Sequence, residues 1–286
     1  MSHAAQTAFR GATNANDVVI LSLPSGEWTE DTALAGALCG ASSVLLSYVD
    51  GRFVHRARDA ELDFLSSVTS REFSLDRVED AVAAIKRGEF VLVVDNEDRE
   101  NEGDLIIGGE FMTTEKMAFM IRFTSALICV SLPSDRLEQL ELPLMVTANN
   151  ESFHTAFTVS VDYIPGTTTG ISASDRADTC RALADVNIKA TDFARPGHMF
   201  PLRYTEGGVM RRMGHTEAAG DLCMMAGVYP AGVLAEIAHD NGSMARRDYL
   251  RVFSRIHGLV MISIADMIKY REANGLTDLK FVPAAK

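Results

Sequence analysis

The chain has 286 residues, of which 47% are hydrophobic and 23% are charged, as is usual for a soluble globular protein. This length can bury one large core, so a domain of about 200 residues with an appendage fits as well as two small domains. The formal net charge of −12 argues against nucleic acid as a partner, because phosphate binding depends on clustered Lys and Arg.

The first 72 residues differ in pattern from the rest, and we interpret them as an N-terminal extension of unknown role, either ordered or partly disordered. Apolar runs at 18–21 and 44–49 are typical of extended segments, and the Asp50-Gly51 pair is typical of a hairpin turn. The first sixteen residues carry one Arg and no acid, which leaves an organellar address open.

The expected compartment is the cytoplasm. The four cysteines lie far apart without CxxC or Cys/His spacing, which predicts reduced, mostly buried thiols at Cys39, Cys129, Cys180 and Cys223. The N-terminus lacks a basic region followed by an apolar stretch. No apolar run approaches the roughly 18 residues of a membrane helix, so no membrane partner is expected.

Residues 73–286 are predicted to form one domain in which helices and strands alternate. Ser74 is placed to cap a first helix that Gly88 ends, just before the apolar run at 90–94. This run is short and rich in β-branched residues, which is typical of a buried strand.

A helix and two strands follow. Thr113 or Thr114 can begin the helix, and the apolar run at 126–132 predicts a buried strand. Residues 157–163 alternate apolar with polar side chains, which is the pattern of a half-buried strand. Helices and strands are thus interleaved, with one domain boundary near residue 72.

The loop Asp95–Asp104 places six carboxylates and one arginine in ten residues, directly after the strand at 90–94. Carboxylates this close repel one another unless water, a cation or an arginine offsets their charge, and Arg99 stands among them. The spacing differs from that of a calcium-binding helix-loop-helix, which favours Mg²⁺ or Mn²⁺. A solvated acidic turn is the alternative interpretation.

The segment RRMGHTEAAGDLCMMAGV begins with two arginines and places His215 at the start of a predicted helix that Gly227 ends. Free backbone N–H groups and the helix dipole make such an end an anion site, and Arg211 and Arg212 favour a phosphate. A histidine that caps its own helix is the alternative interpretation.

Three more features carry candidate chemistry. Glu236 lies within an apolar stretch; a buried carboxylate with a partner or a raised pKa suits acid–base catalysis, and a glutamate on the wet face of a helix is the alternative. The loop GTTTG at 166–170 offers hydroxyls to sugar or phosphate oxygens. The segment RPGH at 195–198 predicts a rigid turn just before His198. Alone, each of these two loops is more often a structural turn.

Taken together, the motifs DNEDRENEGD, GTTTGISASDRADT, RPGHMFPL, RMGHTEAA and PAGVLAEI closely resemble the 3,4-dihydroxy-2-butanone 4-phosphate synthase family of riboflavin biosynthesis. They stand in the family's order and spacing between about residues 73 and 272, which is far more specific than any single motif. Gly220 departs from the family, where a larger apolar residue is more usual. A mid-helix glycine costs about 1 kcal/mol relative to alanine.

The resemblance implies an α+β fold of three layers, with a mixed β-sheet between helical layers as in YrdC-like proteins, and a homodimer with its sites at or near the subunit interface. It implies a Mg²⁺ or Mn²⁺ ion held by Glu100 and His215, and catalysis by His198 and Glu236. The implied substrate contacts are Arg99, Glu100, Asp104, Arg212, Met213, Gly214, His215, Thr216 and Glu236. Glu102, Cys129 and Thr168 or Thr169 would line the same pocket.

The implied reaction is that of a lyase, which converts D-ribulose 5-phosphate into L-3,4-dihydroxybutan-2-one 4-phosphate and formate. The substrate's C4 leaves as formate after loss of the C3 proton, loss of a hydroxyl and a skeletal shift. His198, Glu236 and one acidic-loop carboxylate would move protons, while Arg212, residues 214–216 and the threonine loop would bind phosphate. The loop 95–104 would close over the reactive enediol.

Two interpretations from other classes remain open. A degenerate homologue would act as a metal-dependent sugar-phosphate sensor without turnover. The similarity of the synthase fold to YrdC-like proteins would suit a nucleotide- or RNA-associated protein, although the acidic charge balance argues against it.

Overall fold

The computed structural model describes residues 74–281 and two earlier strands, β1 (Val18–Ser22) and β2 (Ser43–Ser47). These strands pair in parallel. Each overlaps one of the two N-terminal apolar runs, which therefore include extended segments as predicted. The predicted turn at Asp50-Gly51 lies outside the described residues.

The chain divides into two compact units. The first consists of Met1–Ser74 and Asp248–Leu259, and the second of Leu75–Arg247 and Val260–Lys286. The division into residues 1–72 and 73–286 that the sequence predicts stays a prediction.

A single sheet of seven strands forms the centre of the second unit. Its strands are β3 (Val91–Val94), β4 (Gly103–Gly108), β5 (Cys129–Leu132), β6 (Val161–Tyr163), β7 (Phe193–Arg203), β8 (Gly232–Glu236) and β9 (Val260–Ser263). They lie in the order β6-β7-β5-β8-β4-β3-β9. Pairing is parallel between β3 and β9 and between β5 and β7, and antiparallel between the other neighbours. The predicted mixed sheet and α+β class are confirmed.

The helices are α1 (Val78–Lys86), α2 (Thr114–Phe123), α3 (Ser134–Gln139), α4 (Ala173–Ala184), α5 (His215–Ala226), α6 (Arg247–Ile256) and α7 (Ile264–Ala273). In the second unit, α1, α5 and α7 pack on one another and α2 packs on α4. Helix α5 also packs on β3, β4, β5 and β8, and a buried apolar cluster that includes Ile106, Leu222 and Leu234 fills this contact. This packing fixes the start of α5 at the middle of the sheet.

The first helix begins later than predicted, at Val78, so Ser74 does not cap it. The Asp76 backbone N–H donates to the Met261 carbonyl at 2.8 Å, and the Met261 N–H donates to the Asp76 carboxylate at 2.8 Å. This pairing beside β9 keeps the chain extended up to the helix. Gly88 follows the helix end as predicted, with a φ of +74°.

The alternating segment 157–163 is a strand only at its end, in β6, and its polar side chains turn inward. Thr158 is 0% exposed and Ser160 is 9% exposed. The Thr158 hydroxyl donates to the Pro201 carbonyl, and the Gly197 N–H donates to the Ser160 hydroxyl. Because β7 satisfies these polar groups, they can face inward at little cost.

Candidate active site

The acidic loop is the tip of the β3–β4 hairpin, so it leaves the sheet at a strand end as predicted. Asp95 is 4% exposed and organises the loop. Its carboxylate accepts the backbone N–H groups of Glu100 at 3.0 Å and Glu102 at 2.8 Å, and Arg99 Nη1 at 3.0 Å. Both Asp95 oxygens therefore accept N–H donors, and these hydrogen bonds order the loop, while Asn96, Glu97 and Asp98 at its tip are exposed.

His215 is the first residue of α5, as predicted, and is 5% exposed. Its Nε2 lies 3.1 Å from the carbonyl oxygen of Val93, so this nitrogen carries a proton and donates it. Its Nδ1 lies 3.5 Å from Glu100 Oε2 and 3.5 Å from Asp104 Oδ1. Among the described residues, Asp104 Oδ1 has no hydrogen-bond partner although Asp104 is 2% exposed.

This cluster requires a positive charge at its centre. A bare Nδ1 lone pair facing two carboxylate oxygens in a buried pocket is costly. With protein atoms alone, burial lowers the pKa of His215, but Asp104 and Glu100 outweigh burial and raise this pKa to about 9. Either a proton or a cation thus offsets the two carboxylates.

The donor atoms fit a small divalent cation. Oxygen ligands lie about 2.1 Å from Mg²⁺, which places neighbouring ligands about 3 Å apart, close to the spacing around His215 Nδ1. Asp95, Glu100 and His215 also offer ligand atoms within 4.8 Å of one another. Asp95 already accepts three N–H donors, whereas Asp104 Oδ1 accepts none from the described residues, so Asp104 is better suited than Asp95 to complete the set.

The surrounding carboxylates concentrate negative charge. Burial raises the pKa of Asp104 well above its usual value, and Glu236 and Glu100 raise it further. Burial and the same two carboxylates also raise the pKa of Glu102. For Glu100, burial raises the pKa, but His215 and Arg99 outweigh burial and lower it. The group therefore combines ionised carboxylates with at least one that readily holds a proton.

Glu236 is the last residue of strand β8, so the alternative of a glutamate on a helix face is wrong. The register pairs it with Asp104 on the neighbouring strand β4. It is half-buried, and its Oε2 accepts a hydrogen bond of 2.6 Å from Ser125 Oγ. The sheet thus places Glu236 beside the His215 cluster.

The predicted turn before His198 is wrong, because RPGH lies within the long strand β7. Gly197 permits this, since a Cβ there would collide with the backbone of Val161 on β6. His198 Nδ1 lies 2.7 Å from Asp162 Oδ2, and the His198 backbone N–H donates to Asp162 Oδ1 at 2.7 Å. Strand β5 lies between β7 and β8, so strand spacing separates the His198 and Glu236 backbones by at least about 10 Å.

The start of α5 carries further predicted substrate contacts. Gly214 is the N-cap, and a Cβ there would lie 2.9 Å from Glu217 Oε2 and 3.1 Å from Arg99 Nη2. Thr216 is buried, whereas Met213 is 52% exposed. The first turn of a helix presents backbone N–H groups to an anion, so this end suits a phosphate.

Arg212 connects this helix start to the neighbouring loop. Its Nη1 donates to Glu217 Oε2 at 2.7 Å, and its Nη2 donates to the Phe153 carbonyl at 3.1 Å and to Thr155 Oγ1 at 2.9 Å. The Arg99 guanidinium lies 4.8 Å from the centre of the Phe153 ring. Two positive side chains are thereby fixed next to the acidic loop.

Asp175 shapes the threonine loop. Its Oδ2 accepts Thr168 Oγ1 at 2.7 Å, the Thr168 N–H at 3.2 Å and the Gly170 N–H at 2.9 Å. Thr168 and Thr169 are exposed. Cys129 is buried on β5, and burial raises the pKa of its thiol well above its usual value, with a further contribution from Glu236.

Sequence reasoning missed the partners that hold the predicted residues, namely Asp95, Ser125, Asp162, Asp175 and Glu217. Asp95, Asp175 and Glu217 lie inside the recognised motifs, so their carboxylates could have been flagged as local hydrogen-bond acceptors. Ser125 is 111 residues from Glu236, and Asp162 is 36 residues from His198. No local pattern joins such pairs.

The family described as 3,4-dihydroxy-2-butanone 4-phosphate synthase matches residues 79–270. The 3,4-dihydroxy-2-butanone 4-phosphate synthase of Agrobacterium fabrum is 54% identical over 197 residues, covering 69% of this chain and 92% of that protein. The probable bifunctional riboflavin biosynthesis protein RIBA 1, chloroplastic, of Oryza sativa subsp. japonica is 52% identical over 240 residues, covering 83% of this chain and 43% of that protein.

A crystal structure of a 3,4-dihydroxy-2-butanone 4-phosphate synthase in complex with two magnesium ions has a TM-score of 0.69 and 46% sequence identity to this chain. The match covers 71% of this chain and 100% of that chain. Sequence, fold and the order of the site motifs therefore agree, and this chain belongs to the 3,4-dihydroxy-2-butanone 4-phosphate synthase family.

Proposed function

We propose that this chain is a metal-dependent lyase of riboflavin biosynthesis, which converts D-ribulose 5-phosphate into L-3,4-dihydroxybutan-2-one 4-phosphate and formate. Family membership and the names of the relatives support the reaction. The observation that carries the proposal is the buried Nδ1 of His215, which lies 3.5 Å from oxygens of both Glu100 and Asp104 and therefore needs a cation or a proton.

Glu100 and His215 are the proposed ligands of a Mg²⁺ or Mn²⁺ ion, with Asp104 beside them. When bound, such an ion supplies Lewis-acid polarisation of substrate oxygens and stabilises negative charge next to the ketone. The unpartnered oxygen of Asp104 and the fixed tautomer of His215 support this ligand set.

Substrate phosphate is assigned to the start of α5. Arg212 supplies positive charge there, and the first backbone N–H groups of α5, at His215 and Thr216, supply donors. Glu217 and the Phe153 carbonyl hold the Arg212 guanidinium in place, so the charge is oriented before the substrate arrives.

Proton transfer is assigned to Glu236, His198 and one hairpin carboxylate among those that are not exposed. Glu236 lies opposite Asp104 in the register of β4 and β8, so it stands beside the proposed ligand set, where it can take a proton from the substrate or return one. The Asp162 carboxylate orients the His198 ring by its contact with Nδ1. Carboxylates commonly orient histidines that act as acid–base catalysts in this way.

A homodimer would complete this site. Several apolar side chains of the second unit are exposed, including Leu127 at 40%, Met145 at 47%, Val146 at 50% and Met213 at 52%. A homodimer with its sites at the subunit interface would cover such side chains and add groups from a second chain.

The cytoplasm stays the proposed compartment. The three described cysteines are buried and unpaired, as predicted for a reducing environment. No helix in the described part of the chain is long and apolar enough to span a bilayer. The name of the Oryza sativa relative includes the word chloroplastic, which supports the organellar alternative.

The proposed function is tested by measuring formate release from ribulose 5-phosphate with added Mg²⁺, with added Mn²⁺ and after chelation. We expect release that needs metal and that returns when either ion is restored. Folded protein that binds the sugar phosphate but releases no formate in any of these conditions would support the sensor alternative instead.

A further inference from the structure

We infer that Ser125 is a positioning residue that fixes the carboxylate of Glu236, an inference that rests on the proposed function. Ser125 Oγ lies 2.6 Å from Glu236 Oε2. An ionised carboxylate only accepts hydrogen bonds, so the serine hydroxyl must be the donor. The Ser125 backbone N–H also donates to the Glu236 carbonyl at 2.8 Å, so both ends of the glutamate are held by one residue.

The hydroxyl of Ser125 is itself oriented. The Leu127 N–H lies 3.3 Å from Ser125 Oγ and donates to it. This N–H occupies one of the two lone pairs of the oxygen, and the hydroxyl hydrogen points to Glu236, which can only accept it. One glutamate oxygen is therefore fixed, while the other stays available for a proton from substrate.

Hydrogen bonds of Thr124 hold the turn that carries Ser125. Thr124 Oγ1 donates to the Met120 carbonyl at 2.7 Å and accepts the Ala126 N–H at 3.1 Å. Ala126 has a φ of 62°, in the left-handed region that a residue with a Cβ rarely adopts, and this turn delays β5 until Cys129 although a strand is predicted from residue 126.

A buried arginine from α4 holds the same turn. Arg176 is 6% exposed, and its Nη1 donates to the Ala126 carbonyl at 3.2 Å. A strained residue persists where its surroundings determine its conformation, and such residues cluster at active sites. Helix α4 thus fixes the turn, the turn fixes Ser125, and Ser125 fixes Glu236.

The first test compares Ser125→Ala and Ser125→Thr in steady-state formate release. Because misplacing a catalytic group slows chemistry more than binding, we expect Ser125→Ala to lower kcat by about 10- to 100-fold and to change KM by less than about 2-fold. Ser125→Thr keeps the donor and should retain most of the activity. Ser243→Ala, an exposed serine in another loop, is the matched control and should be unchanged.

The second test repeats Ser125→Ala in a Glu236→Asp background, where the shorter carboxylate no longer reaches the hydroxyl. If Ser125 acts through Glu236, its loss should then change kcat by less than about 2-fold. An equal loss in both backgrounds, or full activity of Ser125→Ala, would overturn the positioning role while the wild type still releases formate. Absence of formate from the wild type and from Ser243→Ala would instead overturn the proposed function, and the role of Ser125 with it.

Discussion

Two aspartates of the hairpin differ in role because their hydrogen bonds differ. Asp95 accepts three N–H donors, so its charge stabilises the loop. Asp104 has an oxygen without a partner, 3.5 Å from the His215 ring, so it is available to a cation or a proton. Hydrogen-bond geometry, rather than residue type, thus separates a structural carboxylate from a reactive one.

We predict that Glu100→Gln abolishes metal-dependent formate release, by at least about 100-fold, with little change in thermal unfolding. The amide keeps the size of the side chain but removes the charge that faces His215. The matched control is Glu97→Gln in the same loop, where the side chain is exposed. Equal activity of the two variants would show that Glu100 is not a metal ligand.

Asp175 at the threonine loop is expected to make stability depend on pH. The hydrogen bond from Thr168, with support from Gly170 and Ser172, lowers the pKa of Asp175. The unfolded chain then binds the proton more tightly than the folded chain does, so this carboxylate stabilises the fold above about pH 3.9 and ceases to do so as the pH falls through the lower folded value.

Asp175→Asn should therefore lower the free energy of unfolding at pH 7, and the difference from wild type should shrink below about pH 4. Urea unfolding across this pH range measures it. Asp98→Asn, at an exposed position, serves as the control and should show a much smaller difference. A difference that grows on acidification would contradict the assignment.

Some of these side chains could be identified from the sequence and others could not. Glu100 and His215 stand in dense charged motifs, whose charges need a partner whatever the fold. Ser125 stands in an ordinary segment and gains its role only when the sheet brings it to Glu236. The metal-site prediction thus followed from local charge, whereas the support of Glu236 depends on tertiary structure.

At the scale of elements, a buried arginine from another helix caps the C-terminal end of helix α4. Arg136 is 1% exposed and donates to the carbonyls of Leu183, Ala182, Asp185 and Ile188. The last carbonyls of a helix lack partners within the helix and carry partial negative charge, so a cation is favourable there. This contact fixes the end of the helix whose start carries Asp175 and Arg176.

Replacing this arginine should cost stability. We expect Arg136→Met to lower the free energy of unfolding by about 2–4 kcal/mol, because buried carbonyls lose their donors. Arg122→Met, at an exposed position on α2, is the control, and we expect it to change stability by less than about 0.5 kcal/mol. Denaturant unfolding of both variants checks this, and equal midpoints would contradict the capping role.

Helices and strands were predicted correctly where the hydrophobic period was strong. They were predicted incorrectly where contacts between strands decide the local structure. The helix after His215 ends at Gly227, as its apolar spacing indicates. The RPGH segment looks like a turn, yet it is a strand because Gly197 allows close approach of β6. That contact lies between elements distant in sequence, so no local rule could reveal it.

At the scale of the whole molecule, the mixed sheet brings groups of the proposed site together on three neighbouring strands, β8, β4 and β3. Asp104 on β4 lies opposite Glu236 on β8, and the His215 ring bonds to Val93 on β3. The interleaving of helices and strands was readable from the sequence, but the strand order was not, because pairing depends on contacts between distant segments. The family resemblance supplied the mixed sheet, but not the order of its strands.

Exposed apolar side chains lead to a prediction about assembly. We expect the purified protein to sediment as a homodimer, and Val146→Asp to shift it towards the monomer with lower activity per chain, because a charge in an apolar interface is unfavourable. Val186→Asp, also at an exposed valine, is the control. A wild type that sediments as a monomer at full activity would refute the dimer.

We propose above all that this site removes C4 of ribulose 5-phosphate as formate. The most direct test follows the substrate labelled with ¹³C at C4 by NMR, with Mg²⁺ present. We predict that the label appears in formate, that the four-carbon phosphate product is unlabelled, and that Glu100→Gln stops both changes. Label that stays in a sugar phosphate, or formate drawn from another carbon, would contradict the account.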